Sequence, residues 1–138
     1  MSRTVVRDMS NITQSHITKV ATTMVPVSDQ DEAIAFYTEK LGFEKRMDMP
    51  YGEGERWVEV APPGGESTVA LTPLRPGATD WELGRMTGVS FYSDDIKADH
   101  AALKDAGVDV DDVSDFGPPV PPMFWFRDQD GNSLLMVG

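Results

Sequence analysis

The chain has no cysteine, only two histidines, and no apolar run approaching the length that crosses a bilayer. The first absence excludes a disulfide scaffold, thiolate nucleophiles and cysteine-ligated zinc or iron–sulfur clusters. It also fits a reducing compartment, so the expected location is cytoplasmic. The second leaves His16 and His100 as the whole imidazole supply. A Ser-His-Asp triad cannot be placed around either from spacing. Positive charge is scarce too. Twelve Lys and Arg stand against 23 Asp and Glu, and the resulting net charge of −11 repels nucleic acid and anionic membrane surfaces. With no apolar signal core near its start, the chain is expected to be neither exported nor inserted in a membrane.

What remains is an ordinary globular composition: 138 residues, 40% hydrophobic, enough for one domain with a core of its own. Residues 1–15, MSRTVVRDMSNITQS, lack periodicity and read as an N-terminal arm. From His16 a β-rich stretch, ITKVATTMVPV, runs into Ser28 and Asp29 as N-caps, with Glu32 as a capping-box partner. A helix follows, with Ala33, Ile34, Tyr37 and Leu41 as its apolar stripe and Gly42 as its left-handed stop. Three strands come next, FEKRMDM, ERWVEVA and STVALTP, separated by the turn clusters YGEG and PPGG.

After a Pro- and Gly-containing linker, LRPGATDWELG, the order recurs: strand TGVSFYS, a helix from Asp94 or Asp95, Gly107 as its stop, then strands VDVDDV, MFWFR and SLLMV. A shift of 65 lays Ser28, Asp29, Ala33 and Gly42 on Ser93, Asp94, Ala98 and Gly107, and a shift of 66 lays Gly65 and Ser67 on Gly131 and Ser133. The pattern predicts an α+β fold of two paired βαβββ modules, residues 16–75 and 85–138, within a single domain over 16–138. Each module alone would leave a sheet face uncovered.

The last turn, DQDGN, places Asp128 and Asp130 one residue apart, as a hard cation would like. An EF-hand loop wants glycine sixth and a bidentate glutamate twelfth, whereas Gly131 is fourth and no glutamate follows. A hairpin turn between MFWFR and SLLMV is the predicted structure.

VSDQDEAIAFYTEKLGFE (27–44), SDDIKADHAALKDAGV (93–108) and FRDQDGNSLLMV (126–137) together resemble the vicinal oxygen chelate superfamily, which includes glyoxalase I, bleomycin-resistance proteins and extradiol dioxygenases. The resemblance implies two βαβββ modules curled into a cup, with a homodimer completing the site. In metal-dependent relatives a divalent ion is held by side chains of the first and fourth strands of each module. Carried over by motif, those positions fall on Thr22, Ala70, Gly88 (Thr87 or Val89 with a one-residue slip) and Leu135. None offers a strong oxygen or nitrogen donor. Metal-assisted chemistry is therefore not expected, and no cofactor is implied.

The strands supply other candidates. Inward-facing residues are expected to include Thr22, Met24, Ala70, Ser90, Tyr92 and Leu135, an apolar lining with scattered hydroxyls. Trp57 and Trp125 add flat contact area for an apolar or aromatic small molecule. Glu59 is a charged residue between two valines. If it enters the cup, burial would raise its pKa and make it a general base or the partner of a cationic ligand, and if not, it is a solvated strand residue. The sequence leaves open which face of 56–61 lines the cup. The leading expectation is a metal-independent small-molecule-binding protein. Its alternatives are a metal-independent lyase or isomerase using Glu59 or Tyr92, and a structural member whose cup is filled by its own side chains.

Overall fold

A computed structural model describes residues 15–74 and 82–138. Most of the expected arm, and the centre of the expected linker, lie outside the described residues. The first half runs β1 (Thr22–Val27), α1 (Gln30–Ala35), a π-helical turn (Phe36–Lys40), β2 (Glu44–Tyr51), β3 (Glu55–Ala61) and β4 (Thr68–Pro73). The second runs β5 (Met86–Tyr92), α2 (Ile96–Asp105), β6 (Met123–Arg127) and β7 (Ser133–Val137).

Both helices begin as their sequences require. The Asp29 side chain accepts from the N–H of Glu32 at 3.0 Å, and that of Asp95 accepts from the N–H of Ala98 at 3.1 Å, each satisfying a donor that the helix cannot. Gly42 (φ 74°) and Gly107 (φ 85°) end them in the left-handed region. The first helix widens after one turn, and the Phe43 N–H reaches back to Tyr37 O at 3.0 Å.

The strands form a four-stranded sheet in the order β1-β4-β3-β2 and a three-stranded sheet in the order β5-β7-β6. The pairs β1–β4 and β5–β7 are parallel and all others antiparallel, so the repeat read from caps and stops is a repeat of topology. One expected strand fails. VDVDDV forms only isolated bridges, Val110 with Phe126 and Ser114 with Met123 just beyond. Aspartates are poor strand formers. Asp109 and Asp111 instead turn their carboxylates onto Arg127, which donates to both at 2.7–3.2 Å. Their carboxyls are held below the usual range mainly by that guanidinium.

Strand alternation builds one core from both halves. Val25, Val27, Val58, Val60 and Leu71 come from the first sheet, and Phe124, Phe126 and Leu134 from the second. The Phe43 and Phe91 rings join the halves edge to face at 5.2 Å.

A polar joint reinforces the seam. Asp128 and Asn132 of the last turn are buried, and Gly131 there has φ 78°. Asn132 Nδ2 donates to Pro26 O on β1 at 2.8 Å, and Asn132 Oδ1 accepts from the Gly84 N–H at 2.9 Å. The Ser28 N–H and hydroxyl donate to Asp130 at 2.9 and 2.6 Å. The turn predicted from DQDGN is present, and it also clamps the β1–α1 junction.

Candidate functional site

The same alternation that buries one face of the first sheet opens the other. On the open face the register sets Met24 beside Ala70, Ala70 beside Glu59, and Glu59 beside Met47, a row across all four strands. Trp57 lies next to Met49 across β3 and β2, and Tyr51 closes the end of β2 with its ring against Trp57 at 6.4 Å. This resolves the orientation of β3: Trp57, Glu59 and Ala61 share the face of Thr68 and Ala70, while Arg56, Val58 and Val60 lie on the other.

Large apolar side chains stay accessible here. Met49 is 58% exposed, and Met24, Met47 and Tyr51 are each more than two-fifths exposed. Met47, Met49, Tyr51 and Trp57 line a shallow hollow of about 350 Å³. Glu59 stands beside it, half-buried, with both carboxylate oxygens engaged: Trp57 Nε1 donates to Oε2, and Thr68 Oγ1 donates to Oε1 at 2.7 Å. Those two contacts hold the carboxylate on the open face.

The positions at which relatives would hold a metal do not fit one. Ala70 and Leu135 carry hydrocarbon, and Gly88 has no side chain. The Thr22 hydroxyl donates to Thr68 O at 3.2 Å. Among the described residues no group of three or more His, Cys, Asp or Glu is arranged to hold an ion. His16 is exposed. His100 contacts Asp111 O through Nε2 at 2.8 Å and packs edge-on against Phe124 at 4.9 Å, which makes it part of the α2 packing.

The remaining expected residues lie on the second sheet. Ser90, Leu135 and Trp125 form a row there, with Tyr92 next to Val137 at the strand ends. Tyr92 is 75% exposed. The expected site residues thus fall on two open faces: Thr22, Met24, Trp57, Glu59 and Ala70 on one, Ser90, Tyr92, Trp125 and Leu135 on the other. The exposure of Met49 and Tyr92 means that neither is covered by the opposite face. Tyr51 was missed because the sequence reading ends the strand at Met49. The spacing Met47, Met49, Tyr51 carries the signal for two further residues of strand.

A family model for the Glyoxalase/Bleomycin resistance protein/Dioxygenase superfamily matches residues 16–136. TnmS3, an antibiotic binding protein from Streptomyces sp. CB03234, is similar in structure with a TM-score of 0.76 and 36% identity, covering 89% of this chain and 97% of that one. The uncharacterised protein YetH of Bacillus subtilis is 32% identical over 127 residues, 87% of this chain and 98% of YetH. A probable lactoylglutathione lyase of Vibrio parahaemolyticus is 34% identical over 125 residues, 86% of this chain and 89% of the relative. No helix among the described residues is long and apolar enough to cross a membrane.

Proposed function

Because the chain belongs to the glyoxalase/bleomycin-resistance/dioxygenase superfamily, we propose that it is a metal-independent small-molecule-binding member whose ligand is a flat apolar or aromatic compound. The observation that carries this reading is the open sheet face, where Met47, Met49, Tyr51 and Trp57 surround an accessible hollow. The hollow's volume, about 350 Å³, falls in the range of small-ligand sites, about 300–1,000 Å³. Its rings supply contact area at little torsional cost. That TnmS3 is an antibiotic binding protein supports small-molecule binding. A second copy of the chain completes the site, because each sheet leaves an apolar face that the described residues do not cover. That assembly is the homodimer expected from the sequence.

Native mass spectrometry with a neutral flat aromatic such as acridone tests the reading. The expected species is a dimer that takes up the probe and retains it in excess chelator. No uptake at saturating probe, or uptake only after a divalent ion is added, overturns it.

One observation favours a second reading, a metal-independent lyase or isomerase: Glu59 is held by Trp57 and Thr68 beside the hollow, and in this reading it serves as the proton acceptor. It requires turnover that survives chelation and is lost in Glu59→Gln. Turnover unaffected by that substitution removes Glu59 from any mechanism.

A further inference from the structure

The hollow is not uniformly apolar, and its polar neighbour is of one sign. Midway along the open face, in the row between Ala70 and Met47, the charged group is Glu59. Among the described residues the nearby cations are directed elsewhere. Arg56 points to the core side, where it pairs with Asp31 and Asp48, and Arg46 is bonded to Glu44 and to the carbonyls of Pro62 and Gly65.

Each oxygen of Glu59 accepts one hydrogen bond from within the sheet, and a carboxylate oxygen has a further lone pair to offer. A flat molecule seated on Met49, Tyr51 and Trp57 removes water from that carboxylate. It binds well only if it replaces the lost hydration with a donor of its own. The indole and phenol rings beside it favour a cation over their faces, and the net charge of −11 favours one at long range.

We propose that Glu59 is the specificity-determining residue of this face and that it selects flat aromatic molecules carrying a protonated nitrogen. The inference rests on the binding function proposed above and deepens it by assigning the ligand's charge. Ligands rank cation, then neutral, then anion, and the ranking is set by one side chain rather than by the overall charge.

The test compares three tricyclic probes of similar shape, 9-aminoacridinium, acridone and anthracene-9-carboxylate, by fluorescence titration against the full chain, Glu59→Gln and Glu66→Gln. Glu66 is exposed, and its substitution removes the same formal charge away from the hollow. Wild type is expected to bind the cation at least about tenfold tighter than acridone, and the anion most weakly. Glu59→Gln is expected to lose that cation preference through weaker binding of the cation by about tenfold, with an unchanged circular dichroism spectrum of the free variant reporting that it is folded. Glu66→Gln is expected to retain the preference. Equal affinity of wild type for cation and acridone, an unchanged ratio in Glu59→Gln, or an equal loss in Glu66→Gln overturns the role of Glu59 and leaves the binding function standing. Failure of all three probes to bind wild type overturns the binding function, and this inference with it.

Discussion

The phenol of Tyr37, at the start of the first module's π turn, donates a 2.8 Å hydrogen bond to Asp128 Oδ2, 91 residues further along the chain. The phenol is fully buried, and burial is the main cause pushing its pKa well above the ordinary value, with the Asp128 carboxylate next. It therefore stays a donor across the working pH range. Asn132 Nδ2 reaches the same oxygen at 3.0 Å, and the backbone N–H groups of Asp130 and Asn132 reach the other at 2.9 and 3.0 Å. Both modules are held in one geometry through this carboxylate.

Tyr37→Phe deletes one donor and leaves a buried carboxylate oxygen with less than its complement. We expect a loss of about 1–3 kcal/mol in urea unfolding, the cost of an unsatisfied buried polar group. Asn132→Ala is expected to cost at least as much, because it strips contacts from Pro26 O, the Gly84 N–H and Asp128 together. Losses within a few tenths of a kcal/mol for both would mean that the apolar core alone fixes the modules.

Stability should carry opposing pH signatures. Burial, the largest effect on it, raises the Asp128 pKa above its ordinary value against the pull of its hydrogen bonds. Its contribution is fully present below the unfolded value and is lost as pH rises through the folded one. Asp48 behaves oppositely. The hydrogen bond from Arg56 lowers it to about 2, so its contribution is present above the unfolded value and is lost as pH falls toward about 2. Urea unfolding of wild type and Asp128→Asn over roughly pH 3 to 7, upward from near the ordinary carboxyl range, isolates the Asp128 contribution. The stability difference, wild type minus variant, is expected to shrink as pH rises. A difference that widens with pH contradicts the placement of Asp128.

Much of the fold is legible in the sequence because caps, stops and strand alternation are local. Asp29, Gly42 and Gly107 act where their residue types say they should, and the parity that buries Phe124 and Phe126 turns Trp125 outward. The strand over 108–113 was misread because valine alternation counted for more than the aspartates, whose partner, Arg127, is distant in sequence. The role of Asp128 was illegible for a related reason: turn residues look alike whether solvated or buried. Its partner Tyr37 passes for one more apolar residue on a helical stripe. The orientation of Glu59 became readable only through its register with Ala70, which a lone strand does not contain.

Divalent ions are expected to leave the melting temperature unchanged. A site with a dissociation constant one-hundredth of the ion concentration would add about 2.7 kcal/mol, a rise of roughly 8 °C for a chain of this size. Scans with millimolar Mn, Ni or Zn should therefore superpose on the chelated control within about one degree. A rise of several degrees places a metal site that Thr22, Ala70, Gly88 and Leu135 do not explain.

Trp57→Phe keeps a ring under the ligand but removes the N–H that holds Glu59 Oε2. We expect a neutral flat aromatic to bind within a few-fold of wild type, since most of the contact area survives, whereas Trp57→Ala should weaken it by about tenfold or more. Calorimetric titration of both variants checks this. Equal losses would make the indole N–H, rather than the ring, the binding determinant.

The central claim, that the open face of the first sheet is the binding surface, is tested most directly by titrating a flat aromatic probe into protein labelled with ¹³C at its methionine methyls. Met24, Met47 and Met49 lie on that face, and Met136 lies in the core. The expected result is saturable ring-current shifts at Met47 and Met49, which line the hollow, with Met136 unmoved. Saturable binding that leaves those two methyls in place would contradict the claim.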